Sequence, residues 1–236
     1  MKIVVKNVCF RFLNNNILED IDMQIHTGQI ICLLGLNGSG KSTLFKLITG
    51  GISPSEGSIY VQGRNDAKAN SLNIELNDIM AILPQDMSDP VQLKVKEIIA
   101  LSRFNKENSI TWKLYDKDTE LINIAIMKCN ISDLMDRQFT SLSAGQKQRV
   151  WLAFCLAQGK PFLLLDESLS ALDVFTKNDC FKFLKEVALE GKGILLITHD
   201  IDLAKEYADK IVVLNKGKII FDGDPKKFTH EIMQTT

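Results

Sequence analysis

No apolar run in the 236 residues approaches the about 20 that a membrane-crossing helix needs, so the chain is not expected to span a bilayer. The start, Met1 to Val8, lacks the basic, apolar and small-residue succession of a secretory signal. Cysteines are five, an odd number, and none form a C-x-x-C pair, which leaves no disulfide framework and no zinc pattern. Cys9, Cys32, Cys129, Cys155 and Cys180 mostly lie in apolar stretches, as small buried hydrophobes do in a reducing compartment. Basic blocks are absent too. With 28 Lys and Arg against 29 Asp and Glu, a net charge of -1 offers no pull toward nucleic acid or anionic lipid. There is no internal repeat and no low-complexity tract. A cytoplasmic protein with a full core follows, large enough for one domain carrying a sizeable subdomain.

The pattern that is present alternates strands with helices. Lys2–Val5 reads as a short strand, and Leu18–Ile25 has the period of two of a half-buried antiparallel strand. Gln29–Leu34 is apolar on both faces, as in a central strand covered on both sides. A helix with Leu44, Leu47 and Ile48 on one face starts near Ser42 and stops at Gly50-Gly51; Gly57–Val61 returns as a strand. From about residue 86 the chain turns helical and polar-rich, with helices over Lys94–Ser102 and Thr119–Lys128. Strands resume at Phe162–Leu165, Ile194–Thr198 and Ile211–Leu214, with a helix over Val174–Leu189 and a closing hairpin at Lys218–Phe221. The expectation is an α/β fold with a mostly parallel core sheet, an antiparallel N-terminal portion and an inserted helical subdomain at about 86–158, all within one domain, 1–236.

Gly35-Leu36-Asn37-Gly38-Ser39-Gly40-Lys41-Ser42 fits G-x-x-x-x-G-K-[ST] without mismatch, between a buried strand and a helix start. Glycines here let successive backbone N–H groups turn inward around phosphate oxygens, at the positive end of the following helix. Lys41 is expected on the β- and γ-phosphates of ATP, Ser42 on Mg²⁺, and Thr43 on phosphate. Phe162-Leu163-Leu164-Leu165-Asp166-Glu167 sets two acids at the C-terminal end of an apolar strand, the edge where open α/β sheets bind ligands. Such a pair is often only a helix cap. Beside a phosphate loop it reads as Asp166 holding Mg²⁺ through its water shell and Glu167 acting as general base.

Leu142-Ser143-Ala144-Gly145-Gln146 precedes a helix with Val150, Ala153, Phe154 and Ala157 on one face. A small, glycine-containing turn opening a helix is a second anion-binding terminus, with Ser143 as an extra donor. At this point the sequence resembles the ABC ATPases, whose signature reads LSGGQ. The resemblance spans nearly the whole chain. It implies that Ser143, Gly145 and Gln146 meet the nucleotide of a second copy in a head-to-tail, two-fold dimer. It further makes Gln85 the sensor of Mg²⁺ and water, Ser170-Ala171-Leu172-Asp173 the interface D-loop, His199 the γ-phosphate contact and Phe12 the ring that stacks on adenine.

Three positions depart from that pattern: Ala144 for glycine, Ser168 for proline after the glutamate, and Phe12 for tyrosine. The methyl of Ala144 is tolerated if φ is negative there and costly if φ is positive. Lys94-Val95-Lys96-Glu97-Ile98-Ile99-Ala100-Leu101-Ser102-Arg103-Phe104 is similar to the T-V-x-E-L-V-x-x-G-R-x segment of importer ATPases for iron-siderophore, haem and vitamin B12 uptake, with Lys94 for Thr and Ser102 for Gly. The resemblance therefore implies an importer subunit on the inner face of the cell membrane, docked on integral permease subunits and indirectly served by a substrate-binding protein. A translation-type relative would carry two such domains and a charged linker, a DNA-repair relative a long coiled-coil insertion. A regulatory module without turnover would lack Glu167 or His199.

Overall fold

The structure is a computed structural model and describes residues 1–13, 15–63, 76, 78–85, 87, 89–104, 116–169 and 172–234. Two sheets organise it. The first is antiparallel, in the order β2-β1-β4, from β1 (Lys2–Phe12), β2 (Asn15–His26) and β4 (Glu56–Gln62). The second runs β5-β6-β7-β3-β8-β9, from β3 (Ile30–Leu34), β5 (Met80–Leu83), β6 (Phe162–Asp166), β7 (Gly193–Ile197), β8 (Lys210–Asn215) and β9 (Lys218–Gly223). Its pairings are parallel except the β8–β9 hairpin. Every residue of β3, β6 and β7 is buried, as the two-faced apolar runs require. The side-chain period of two divides β3 between two cores. Ile30, Cys32 and Leu34 face the larger one, while Ile31 and Leu33 face the core that the antiparallel sheet and the first helix close.

Seven helices are described: α1 (Lys41–Ile48), α2 (Val95–Leu101), α3 (Asp116–Lys128), α4 (Ala144–Ala157), α5 (Val174–Leu189), α6 (Ile201–Tyr207) and α7 (His230–Gln234). Val95, Ile98 and Ile99 of α2, Ile122 and Ala125 of α3, and Val150 and Ala153 of α4 join the larger core. Four of the five thiols are buried, and burial pushes Cys129 and Cys155 up to about 12 and Cys180 to about 11.

Two strand expectations need correction. β1 runs on to Phe12, and the simple alternation in β2 fails at Leu18, which is fully buried although it shares the parity of Asp20 and Asp22. Bulges between β1 and β2 shift the register, with Asn7 at φ 48° and Asp20 at φ 49°, so the chain changes phase there. β5 and α6 carry no strong sequence period and were not expected.

A phosphate cradle at the edge of the parallel sheet

The core sheet brings distant motifs to one edge through its register. Leu83 of β5 pairs with Leu165 of β6, Asp166 of β6 with Ile197 of β7, and Leu33 of β3 also with Ile197. Gln85, Asp166, Glu167, His199 and Gly35 therefore all stand at the C-terminal ends of four adjacent parallel strands. That is the ligand-binding edge of an open α/β sheet.

The loop from Gly35 to Gly40 has the close backbone approaches that only glycine allows. A Cβ on Gly35 would lie 2.3 Å from Leu214 O and 2.6 Å from Ser39 Oγ. Gly40, at φ 107°, is the N-cap of α1 and supplies no side-chain cap, so the first amides of that helix are left for an outside acceptor. Ser39 Oγ is buried without a hydrogen-bond partner among the described residues. A buried donor with no partner beside uncapped amides fits a bound phosphate chain. Asn37 and Gly38 are exposed at the loop's tip, Ser42 is exposed and Thr43 half-buried in the first turn.

Lys41 is buried and folds back on its own loop, donating to Gly35 O at 2.9 Å and Leu36 O at 3.2 Å. Burial lowers its pKa, and the carboxylates of Glu167 and Asp166 oppose that shift only in part. Glu167 Oε1 is 3.9 Å from Lys41 Nζ and 2.9 Å from His199 Nε2. The Glu167 backbone sits at φ 44°, a left-handed value that costs a non-glycine residue about 1–3 kcal/mol. Its N–H donates to Ile197 O at 3.1 Å, which ties it to the neighbouring strand end. Asp166 is buried beneath it, His199 exposed above. Ser42 and Asp166 are the oxygen donors suited to a magnesium ion that also takes phosphate oxygens. No group of three or more His, Cys, Asp or Glu able to hold a metal occurs among the described residues.

Phe12 ends β1 and is 63% exposed. It pairs with Asn15, and a Cβ on Gly40 would be 2.8 Å from Leu18 Cδ2, so the β1–β2 hairpin rises beside the cradle. Exposure there suits a stacking surface better than a core position.

The second helix start differs from the first. Ser143 caps α4, its Oγ accepting from Gln146 N at 3.3 Å while Gln146 Oε1 accepts from Ser143 N at 3.0 Å. This capping box consumes one amide and leaves the Ser143 hydroxyl proton and the first amides of α4 for an outside acceptor. Ala144 is helical and absent from the positive-φ residues, so its methyl is tolerated. A Cβ on Gly145 would lie 3.2 Å from Thr176 Cγ2, showing how closely α4 and α5 approach. Asp173 caps α5, accepting from Thr176 N at 3.1 Å and Thr176 Oγ1 at 2.6 Å. Ser143, Gly145, Gln146 and Asp173 share one cleft of about 580 Å³. Ser170, Ala171 and Asp86 lie outside the described residues.

The family described as ABC transporter matches residues 18–170. The chain belongs to the ABC transporter ATP-binding family. This ABC protein is an ATPase, coupling nucleotide hydrolysis to transport as the family does. It is 34% identical to the petrobactin import ATP-binding protein of Bacillus anthracis over 92% of this chain and 79% of that one. It is 31% identical to the hemin import ATP-binding protein of Thermobifida fusca, over 92% and 75%. Among solved structures, cbiO1 of Clostridium perfringens, part of the ABC transporter complex cbiONQ, superposes with a TM-score of 0.81 at 29% identity, covering 95% of this chain and 89% of that one.

Proposed function

We propose that this ATPase drives an importer of metal-chelate type and works as a head-to-tail pair. Each ATP would lie between the cradle of one copy and the α4 start of the other, with Phe12 against adenine, Lys41 and the Gly35–Gly40 amides on the phosphates, and Ser143, Gly145 and Gln146 reaching across. Magnesium, held by Ser42 and Asp166 with Gln85 near its water shell, would neutralise charge on the β- and γ-phosphates. Glu167 takes the proton of the attacking water, and His199 holds both the Glu167 carboxylate and the γ-phosphate in place. Asp173 fixes the α5 start at the seam between copies. Helices within 86–158 form the subdomain that meets the permease.

The observation that carries this reading is the contact of Glu167 with both His199 and Lys41 at one sheet edge. The siderophore and haem import relatives favour a chelate as cargo. A second reading, service of an energy-coupling factor transporter, is favoured by an ATP-binding protein of that type from Fusobacterium nucleatum, 33% identical over 95% of this chain. Glu167→Gln is expected to bind ATP and lose at least about a hundredfold in turnover, as removal of a general base does. Capture of that variant with ATP from solubilised membranes identifies the permease and so the cargo class. Normal turnover in Glu167→Gln sinks the assigned role, and recovery of only soluble partners sinks the transport reading.

A further inference from the structure

The first turn of α4 holds no acid and one lysine, Lys147, at the helix end where a cation is unfavourable. Its partner comes from elsewhere in the chain. Lys147 Nζ lies 2.5 Å from Asp89 Oδ2, with side chains 25% and 43% exposed, and 5.6 Å from the centroid of the Phe139 ring. Phe139 packs in turn on Trp151 of α4 at 5.1 Å between centroids. Asp89 belongs to the segment that leaves β5 after Gln85. Further along, that segment is laced to the strip preceding α4: Phe139 N donates to Leu93 O at 3.0 Å, Val95 N to Arg137 O at 3.1 Å and Lys96 N to Met135 O at 3.0 Å. Residues 89–96 are thus bound to the body carrying Ser143, and the Asp89–Lys147 pair reaches the first turn of α4.

Resting on the head-to-tail reading above, we propose that Asp89 and Lys147 are positioning residues that couple the two ATP sites of the dimer. Gln85 answers to the nucleotide in its own cradle, while the α4 start answers to the partner's nucleotide. The ion pair joins the two, so a shift at Gln85 on ATP binding moves the α4 start with it. Neither side chain touches nucleotide in this scheme. Without the pair each cradle still binds ATP, but the α4 starts no longer follow, and closure demands more ATP.

Steady-state hydrolysis against ATP concentration tests this. Asp89→Asn and Lys147→Gln are each expected to raise the half-saturating ATP about threefold, the scale of a partly exposed ion pair, and to lower the Hill coefficient toward unity. Nucleotide affinity of the monomer, read with a fluorescent ADP analogue, stays unchanged. The double variant is expected to be no worse than either single one, since both remove one interaction. Asp89→Glu keeps the cooperativity of the natural protein. Impairment in Lys147→Gln with none in Asp89→Asn would mean that Lys147 acts on the partner's phosphate directly and would overturn the proposal. So would additive losses, or no loss in either. Sedimentation of Glu167→Gln with ATP is the control. If that parent stays monomeric the dimer reading itself has failed, a result separable from failure of the pair in a parent that dimerises.

Discussion

Lys41 keeps an ammonium group out of water by leaning on two loop carbonyls, an arrangement a polyanion would replace with stronger partners. Its pKa is lowered in the folded protein, so the fold binds fewer protons at this site than the unfolded chain does. The sign follows: Lys41 weakens the empty fold at lower pH, and stability recovers as pH rises from its folded pKa toward its unfolded one. Nucleotide phosphates raise that pKa again. Binding of ADP should therefore take up protons at any pH between the lowered value of the empty site and the raised value of the occupied one. Calorimetry in two buffers of different ionisation enthalpy reads this directly, and Lys41→Arg, whose side chain does not titrate there, should abolish the uptake. Ala144 makes the opposite case, of a departure that costs nothing. Because its backbone is helical with negative φ, Ala144→Gly is expected to leave turnover unchanged and lower stability by up to about 1 kcal/mol, measured by denaturant unfolding.

Among the elements, the C-terminal end of α4 depends on Arg103. Its Nε donates to Asp118 Oδ1 at 2.7 Å and its Nη1 to Gln158 O at 2.7 Å, joining the end of α2, the start of α3 and the last turn of α4. The Asp118 side chain is only 8% exposed, so Arg103→Ala takes a charged partner away from a buried carboxylate. A loss of about 2–4 kcal/mol is expected, seen as a lowered thermal midpoint, with Arg103→Lys recovering part of it. Legibility in the sequence divides along the same line. β3, β6, β7 and α5 were readable within a residue or two because burial on both faces, or a sustained helical period, is written in consecutive residues. The placement of the Gly35–Gly40 loop between β3 and α1 was readable because a turn of inward-facing backbone amides needs glycines in unbroken order. β5, the phase change at Leu18 and the Asp89–Lys147 contact were not readable. Each depends on residues far apart in sequence that meet only through the register of the sheets or the approach of α4.

For the molecule as a whole, several large apolar side chains remain in water, and their places matter more than their number. Leu36 in the phosphate loop and Val174 at the α5 start, 58% and 74% exposed, flank the groups proposed to face a second copy. Val91, Leu101 and Phe104 instead lie along the segment around α2, on the body proposed to meet a permease. No helix among the described residues is long and apolar enough to cross a membrane. The two groups predict separable defects. With isolated protein, hydrolysis per molecule should rise with protein concentration as pairs form, then level off. Val174→Asp places a charge at the seam, and each buried apolar side chain lost from contact with its partner removes about 1.5–3 kcal/mol. Its activity curve should therefore shift to at least about tenfold higher protein concentration, with the plateau rate retained once pairs are saturated. Phe104→Asp should leave that curve in place and lose only the permease-captured fraction. Hydrolysis per molecule independent of concentration would mean that one chain suffices, and the shared site would then be wrong.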